Sequence, residues 1–203
     1  MSIKLNLGSG PDNIENWENL DWGWLPFFGK FRINKFLCGA GLLDENYNSF
    51  WENVKLVDIR KRLPYSNFSV DYIYCSHVLE HFSPRETYEI LKDCKRVLKK
   101  KGILRVVLPD LDKIIKNYKN PDDFNNEFFG YEKKLYESFF GRIKEKFIRP
   151  HVWMYNVESF KKVLGNCGFG NIKICSYRKG KCKDINSLDK PIYRDLSFYI
   201  EAE

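Results

Sequence analysis

The sequence predicts an α/β fold in which strands and helices alternate along the chain. A short apolar strand, Lys4 to Leu7, runs directly into a turn that contains Gly8 and Gly10. Glycine allows the chain to turn sharply and allows a ligand to approach the backbone closely. Farther along, residues 70–110 contain a strand, a capped helix and a nearly continuous apolar strand, which predict a right-handed βαβ unit.

Length and composition predict one domain that spans residues 1–203. A chain of 203 residues can bury one good core but is short for two domains and a linker. Its 43% hydrophobic and 30% charged residues are typical of a soluble globular protein. No apolar run approaches the roughly 20 residues that span a bilayer. The chain also does not begin with a basic segment followed by an apolar one. We therefore expect a cytoplasmic protein without a membrane span.

The charge and the cysteines bear on what the protein binds. The net charge of +7 indicates either an acidic partner, such as nucleic acid, phosphate or an anionic surface, or a solvated lysine-rich face. The second interpretation is favoured, because much of the charge lies between Lys92 and Lys101. The cysteines form no C-x-x-C pair and do not cluster with the three histidines, so we expect free thiols and no metal site. They are Cys38, Cys75, Cys94, Cys167, Cys175 and Cys182.

Three further strand candidates precede the first clear helix. Residues 17–22 form a short apolar stretch that contains Asp21, residues 54–59 form the next strand, and residues 70–76 are β-branched and aromatic. Residues 24–50 are rich in aromatic residues and glycine and lack a clear period. We expect an irregular insertion there with one helical turn.

The clearest helix of the sequence comes after the fourth strand. Ser83 is a good N-cap, Pro84 suits the first helical position, and Glu86 completes a capping box with Ser83. Gly102 is expected to end this helix, and residues 103–110 form the next strand. The buried stripe of the helix is predicted to contain Tyr88, Leu91, Cys94, Val97 and Leu98.

The last part of the chain predicts one more helix and two strands. Asn156 caps a helix that ends at Gly165 or Gly168. Strand candidates at 172–177 and 196–200 flank a basic loop, and they predict an antiparallel hairpin at an edge of the sheet.

Functional residues are expected where the strands end, because ligands of alternating α/β folds bind at the carboxyl ends of the strands. The carboxylate of Asp21 offers two acceptor oxygens, which suit both hydroxyls of a ribose. Asp58, at the third strand, can accept the exocyclic amine of an adenine. With the turn at Gly8 and Gly10, these acids describe a pocket for an adenosine-bearing cofactor.

Several segments, in their order and spacing, carry a resemblance to a known family. They are Leu5 to Gly10, Asn19 to Asp21, Asp58 to Arg60, Leu63 to Tyr65, Val70 to Ile73, Ser76 to His81 and Leu98 to Leu104. The chain resembles class I S-adenosylmethionine-dependent methyltransferases of the type 11-like branch, which contains small-molecule and quinone methyltransferases. The resemblance covers about residues 3–110. It implies a Rossmann-like fold with a mostly parallel seven-stranded sheet, an antiparallel C-terminal strand and helices on both faces.

The resemblance implies S-adenosyl-L-methionine as the methyl donor. Gly8 and Gly10 would pass close to its methionine part, and Ser76 would lie beneath the sulfonium. The family usually has an acid where this chain has Asn6. The contact of that position with the donor's amino group is therefore expected to be weakened or to pass through water.

For the adenosine part, the resemblance assigns Asp21 to the ribose and Asp58 with Ile59 to the adenine. The span from the glycine turn to Asp21 is near the lower limit for a crossover that contains a full helix. Asp44 or Glu45 is therefore the alternative ligand of the ribose.

The acceptor is expected to lie against the variable insertion at about residues 111–150, because the rest of the scaffold serves the cofactor. His151 follows this insertion and is the candidate for the base or for a ligand of the acceptor. Asp110 either orients His151 or caps the helix that follows it. The resemblance implies that His77 and His81 either lie beside the cofactor or cap the next helix, and His77 is a further candidate for a catalytic role. Packing in the core is favoured over an acceptor pocket for the aromatic residues Trp22, Trp24, Phe27 and Phe28.

The favoured function is O-methylation of a hydroxyl on a small molecule or a glycan. The basic charge suggests a nucleic-acid methyltransferase or binding protein as the alternative. Base-modifying members of the fold, however, usually carry an Asn-Pro-Pro-Tyr-like motif where this chain has Cys75 to Val78. A nicotinamide-dependent oxidoreductase ranks lower, because its fingerprint has a third glycine where this chain has Asn13. A non-catalytic relic that binds the cofactor is the last alternative. No sequence feature defines the oligomeric state.

Overall fold

Seven strands form a mixed sheet in the computed structural model, which describes residues 2–11, 14–40, 51, 53–128 and 151–203. The strands are β1 (Lys4–Leu7), β2 (Glu18–Asp21), β3 (Val54–Leu56), β4 (Val70–Ser76), β5 (Leu98–Pro109), β6 (Lys173–Cys175) and β7 (Ser197–Ala202). Their order across the sheet is β3-β2-β1-β4-β5-β7-β6. β7 runs antiparallel to both of its neighbours, and the other pairs are parallel. The predicted mostly parallel sheet with an antiparallel C-terminal strand is therefore confirmed.

Seven α-helices and two turns of 3₁₀ helix accompany these strands in the described residues. The helices are α1 (Trp24–Lys30), α2 (Ile33–Gly39), α3 (Pro84–Val97), α4 (Leu111–Asn117), α5 (Pro121–Phe128), α6 (Val157–Asn166) and α7 (Ile185–Leu188). The 3₁₀ turns are Leu79–His81 and Pro191–Tyr193. Across the same part of the chain, none of the helices is both long and apolar enough to cross a bilayer.

The two faces of the sheet bury different partners. On β4, Ile73 belongs to the larger core, which also contains Leu91 of α3 and Phe160 of α6. Its neighbour Tyr74 packs on the opposite side with Leu188 of α7. This change of side between consecutive residues is the period of two of a strand. Helices of the described residues therefore contribute to both faces, and the short helix α7 contributes to the second.

Helix α3 begins as predicted and ends earlier than predicted. Ser83 Oγ accepts the N–H of Glu86 at 3.3 Å, and Glu86 Oε2 accepts the N–H of Ser83 at 3.0 Å, which completes the capping box. The helix ends at Val97 and not at Gly102. The reason is tertiary, because Leu98 already pairs with β4 and starts β5.

Two short helices, α1 and α2, replace most of the irregular insertion that was expected at residues 24–50. No side-chain cap begins either helix, and exposed aromatic residues obscure any apolar period. The buried side of α1 contains Pro26 and Gly29. Gly29 approaches Trp51 so closely that a Cβ there would overlap the indole. A contact between distant residues, and not a local pattern, therefore positions this helix.

The remaining strands differ from their predicted bounds by a few residues. β3 ends at Leu56, three residues before the predicted end at Ile59. β6 is shorter than the predicted 172–177, and β7 extends beyond the predicted 196–200. Their antiparallel pairing, with β6 at the edge of the sheet, is confirmed.

A buried ion network fixes the segment after β6 to the sheet. The guanidinium of Arg105 on β5 is fully buried and donates two hydrogen bonds to Asp189, at 3.0 and 2.6 Å. It donates a third to Glu201 at 3.0 Å and two more to the carbonyls of Ser176 and Lys179. A buried charge is stable only when its partners and hydrogen bonds are complete. This network therefore holds the chain between β6 and β7 against β5.

Arg105→Met is expected to lower the free energy of unfolding by about 3–5 kcal/mol, because Asp189 and Glu201 would stay buried without their cation. Urea denaturation measures this loss. The control is Lys161→Met, which removes an ion pair with the exposed Glu158 and should cost less than about 1 kcal/mol. A similarly small cost for Arg105→Met would contradict the role given to the network.

Candidate functional site

Three strand ends meet at the carboxyl edge of the sheet. In the parallel register, Leu7 of β1 lies opposite the next-to-last residues of both β2 and β4. The positions that follow are Gly8, Asp21 and Ser76, which therefore lie side by side. The sequence placed each of them at the end of a strand, and the register brings the three together.

The glycine turn is held by its own backbone conformation and by Asp21. Gly8 and Gly10 have φ angles of 63° and 59°, in the left-handed region that favours glycine. A Cβ on Gly8 would overlap the side chain of Val78. The carboxylate of Asp21 accepts the N–H of Gly10 at 2.7 Å and the N–H of Trp22 at 2.6 Å. Burial raises the pKa of Asp21, although these two N–H groups oppose the rise.

Asn6 braces the loop that joins β1 to β2. Its Nδ2 donates to Asn19 Oδ1 at 3.1 Å, and Asn19 donates in turn to the carbonyls of Ile14 and Trp17. The described residues of this connection, 8–11 and 14–17, contain no helix. The short span noted in the sequence is thus a loop that side-chain amides hold together.

Two cavities open on either side of Gly8. One of about 300 Å³ lies beside β2 and β3, and one of about 220 Å³ lies beside β4. All seven predicted cofactor-binding residues line one cavity or the other. Asp21, Asp58 and Ile59 line the first, Asn6, Gly10 and Ser76 line the second, and Gly8 lines both.

Asp58 is held by Arg60. Its Oδ1 accepts the backbone N–H of Arg60 at 3.1 Å and Nε–H at 2.8 Å, and its Oδ2 accepts Nη2–H at 2.7 Å. Burial alone would raise the pKa of Asp58, but these bonds hold it below its usual value. The carboxylate is therefore ionised at neutral pH, and the guanidinium already takes part of its capacity to accept hydrogen bonds.

Ser76 and His77 follow one another at the end of β4 but have different partners. Ser76 Oγ is buried without a hydrogen-bond partner, so a ligand can use it. His77 has a φ of 54°, its Nε2 lies 2.8 Å from Ser197 Oγ, and its ring stacks on Tyr193 at a centroid distance of 3.6 Å. Burial, and then nearby histidines and a lysine, lower the pKa of His77 to about 3. Its imidazole is therefore neutral.

A second group of polar side chains forms beside the 3₁₀ turn that carries Glu80 and His81. The backbone N–H groups of Val152 and Trp153 donate to the carbonyl of Glu80 at 2.8 and 3.1 Å. These bonds place His151 beside His81, with ring centroids 4.9 Å apart. Burial lowers the pKa of His151, and His81 lowers it further. The sequence singled out His151 but contained no sign of this contact.

Glu80 is a functional candidate that the sequence analysis missed. Its side chain is 1% exposed, and neither carboxylate oxygen has a hydrogen-bond partner. His77 Nδ1 lies 3.4 Å from its Oε1. Burial raises the pKa of Glu80 to about 8. The adjacent pair Glu80-His81 was the available signal, but no pattern in the sequence indicates that this carboxylate is buried.

Asp110 caps α4, which is one of the two roles that the sequence left open. Its Oδ1 accepts the N–H of Asp112 at 3.2 Å, and its backbone pairs with Tyr155 in an isolated parallel bridge. Among the described residues, no hydrogen bond joins Asp110 to His151.

Three of the four aromatic residues after β2 do not pack in the core, so the expectation favoured for them is wrong. Trp22, which precedes α1, is 53% exposed. On α1, Trp24 is 56% exposed and Phe27 is 41% exposed, because the helix buries the side that contains Pro26 and Gly29. Trp22 and Trp24 instead line a cavity of about 330 Å³, which His77 and His81 also line.

Two parts of the predicted site lie outside the described residues. They are the alternative ribose ligands Asp44 and Glu45, and residues 129–150 of the predicted insertion.

Part of the chain matches a known protein family by sequence. Residues 43–106 match the family model of the methyltransferase domain. No curated protein matches the chain by sequence.

The fold is that of solved methyltransferases. A SAM-dependent methyltransferase from Thermotoga maritima, described as a possible histamine N-methyltransferase, is similar with a TM-score of 0.53 at 15% identity, over 100% of this chain and 82% of that one. A SAM-dependent methyltransferase from Archaeoglobus fulgidus has a TM-score of 0.53 at 17% identity, over 99% of this chain and 85% of that one. PigF, solved with SAH, has a TM-score of 0.52 at 15% identity, over 100% of this chain and 56% of that one. At these identities the likeness establishes the fold, and the predicted Rossmann-like class is confirmed.

Gly8→Ala is expected to destabilise the protein more than Gly10→Ala does. Both changes place alanine in the left-handed region, at a cost of about 1 kcal/mol. Only Gly8→Ala also drives a methyl group into Val78, which adds about 1–3 kcal/mol, because a Cβ on Gly10 meets open space. Urea denaturation measures both losses.

A double mutant provides the internal control for this contact. Gly8→Ala with Val78→Ala should be more stable than the sum of the two single changes predicts, by about 1 kcal/mol or more. Strict additivity would show that Val78 does not limit the space at Gly8.

Proposed function

We propose that this chain, a class I S-adenosylmethionine-dependent methyltransferase by its fold and its matched family segment, methylates a hydroxyl group of a small molecule or a glycan. The main support for a donor site is that Gly8, Asp21 and Ser76 lie side by side between two cavities. A ligand with an adenosine end and a methionine end can lie across Gly8, with one end in each cavity.

Asp21 is the proposed ligand of the ribose. Each of its oxygens accepts one backbone N–H, and a carboxylate oxygen can accept a second hydrogen bond. Two ribose hydroxyls can therefore donate to a carboxylate that the protein has already oriented. Such bonds are strong in a partly buried site, because the local dielectric is low.

The methionine side of the site rests on Gly8 and Ser76. The space at Gly8 exists because no Cβ occupies it, and the unpartnered hydroxyl of Ser76 is a group that a ligand would satisfy. Asn6 lines the same cavity, but its uncharged amide donates one N–H to Asn19, which orients the side chain toward the loop. We therefore assign Asn6 a bracing role beside the donor, in place of the direct contact that an acid would make.

The adenine side rests on Asp58 and Ile59, which line the larger of the two cavities. Arg60 orients the carboxylate of Asp58 and leaves some of its lone pairs unused. These lone pairs can accept the exocyclic amine of the adenine, and the apolar side chain of Ile59 can contact the ring.

When bound, S-adenosylmethionine supplies a methyl group that is already activated for displacement, so the protein mainly has to align the acceptor and release its proton. A hydroxyl must lose its proton as its oxygen is methylated. His77 is neutral but bound to Ser197. We therefore propose that His151 contacts the acceptor hydroxyl. It either accepts the proton or holds the acceptor as a ligand.

Two exposed indoles indicate the kind of acceptor. Trp22 and Trp24 line a cavity that reaches both Asp21 and His81, so they connect the donor site to the histidine pair. Flat aromatic surfaces of this kind bind ring-shaped ligands and leave polar groups to fix the orientation. A sugar ring or an aromatic ring that carries a hydroxyl fits this surface.

Asp21→Ala is expected to weaken S-adenosylhomocysteine binding by about 10- to 100-fold, because charge-assisted hydrogen bonds worth about 1.5–3 kcal/mol are lost. Isothermal titration calorimetry measures the dissociation constant. Asp195→Ala is the matched control, since that carboxylate is 93% exposed, and it should leave binding unchanged. Equal affinities for all three proteins would remove Asp21 from the donor site, and no binding by the unaltered protein would refute the donor assignment.

His151→Ala is expected to lower kcat by about 100-fold or more, because the acceptor hydroxyl loses the group that handles its proton. Transfer of a labelled methyl group to a panel of phenols, catechols and sugars measures the rate. S-adenosylhomocysteine should bind the variant as tightly as it binds the unaltered protein. Methylation of amines or thiols alone would overturn the choice of a hydroxyl acceptor, and an unchanged kcat would exclude His151.

A further inference from the structure

Glu80, His81 and His151 lie close enough together to bind a metal ion, beside the cavity that Trp22 and Trp24 line. The sequence contained no pattern that indicates a metal site. One ligand atom from each of Glu80, His81 and His151 can be chosen so that all three lie within 4.8 Å of one another. We propose that these residues bind a divalent transition-metal ion, most simply Zn²⁺, and that this ion holds the acceptor hydroxyl. The metal site is inferred from the geometry and does not depend on the proposed function. Its role toward the acceptor does rest on the proposed function.

The three ligand atoms lie close to the spacing of a loaded metal site, and any that are too far apart must approach one another when the ion binds. Zinc binds imidazole nitrogen and carboxylate oxygen at about 2.0–2.2 Å, so two ligand atoms of a tetrahedral site lie about 3.4 Å apart. Atoms that lie up to 4.8 Å apart must therefore approach each other by at most about 1.4 Å. Rotation of the histidine side chains supplies such movements without a change in the backbone.

Glu80 supplies the independent reason to expect a cation. Its side chain is 99% buried, and both oxygens lack hydrogen-bond donors, an arrangement that costs several kcal/mol for an ionised carboxylate without a partner. The network around Arg105 shows how this protein satisfies buried acids elsewhere, with a complete set of partners. A metal ion would displace the proton from this carboxyl and place a positive charge beside its two oxygens.

The backbone prepares the site by joining its two segments. Val152 and Trp153 donate to the carbonyl of Glu80, so His151 is tied to the turn that carries the other two ligands. Thr87 Oγ1 anchors the same turn through a 3.3 Å bond to the carbonyl of Leu79. Ligands held in this way lose little conformational freedom when they bind an ion.

The composition of the ligand set selects the class of metal. Two imidazoles and one carboxylate suit zinc, iron, cobalt or manganese, whereas magnesium and calcium prefer oxygen ligands only. Zinc sites of this composition leave a coordination position open for water or substrate when they are catalytic. His81 lines the cavity that also contains Trp22 and Trp24, so the open position can face the acceptor.

A metal ion at this position changes the role of His151 from base to ligand. A hydroxyl bound to the ion has a lowered pKa, because the positive charge stabilises the alkoxide or phenolate. The proton leaves to water, and the electron pair of the O–H bond stays on the oxygen that will be methylated. No free imidazole base is then required.

Cobalt titration tests the site without any measurement of activity. After treatment with a chelator, the full-length protein is expected to bind one Co²⁺ with a visible d–d absorption band and without a thiolate charge-transfer band. His151→Ala and His81→Ala should each weaken Co²⁺ binding by about 100-fold or more. Both histidines are only partly buried, so both variants are expected to fold, and circular dichroism checks that each does.

Cysteine variants are the matched controls, because thiols are the competing cobalt ligands. Cys38→Ser and Cys175→Ser change the two thiols that are not fully buried and should leave the titration unchanged. Binding that survives both histidine changes, or that disappears in a cysteine variant, would overturn the proposed site. So would a failure of the unaltered protein to bind Co²⁺ or Zn²⁺.

Calorimetry with S-adenosylhomocysteine on the same samples separates this proposal from the proposed function. Donor binding without metal binding would overturn the metal site alone. Metal binding without donor binding would support the site and refute the donor assignment. Chelator-resistant methyl transfer to a hydroxyl would leave the proposed function in place and overturn the role given to the ion.

Discussion

The parallel pairing of β1 with both β2 and β4 determines where Gly8, Asp21 and Ser76 of the candidate donor site lie. Because Leu7 is opposite the next-to-last residue of each neighbour, the three strands end together, and Gly8, Asp21 and Ser76 follow at one edge. A shift of one residue in this register would turn each side chain to the other face of the sheet and would expose the apolar residues of the core. The burial of that core therefore fixes the geometry of the site.

The two polar centres depend on this edge in different ways. The donor cavities follow directly from the strand ends, whereas the group formed by Glu80, His81 and His151 also needs the backbone bonds from Val152 and Trp153. The buried network around Arg105 adds a third constraint, because it fixes the segment between β6 and β7, and Tyr193 of that segment stacks on His77. Parts of the chain that are distant in sequence thus together form the region that contains the donor cavities and the histidines.

Local signals were enough to predict most of the fold and to place the candidate donor residues Gly8, Asp21 and Ser76 at the ends of strands. The capping box at Ser83, the apolar run of β5 and the acids at strand ends are short patterns whose physical meaning does not depend on distant residues. Predictions failed where tertiary contacts decide the outcome. Pairing with β4 ends α3 at Val97, and packing of Gly29 on Trp51 helps to form α1. The contact between His81 and His151, and the isolation of the Glu80 carboxylate, likewise have no local signature.

The proposed donor site places the methyl donor across Gly8, with its adenosine beside Asp21 and its sulfur near Ser76. A crystal structure of the protein with S-adenosylhomocysteine tests this placement. We expect both ribose hydroxyls to donate to Asp21, the adenine to lie beside Asp58 and Ile59, and the sulfur to face the cavity that contains Trp22 and His81. A ligand bound elsewhere, or one whose ribose makes no contact with Asp21, would contradict this account.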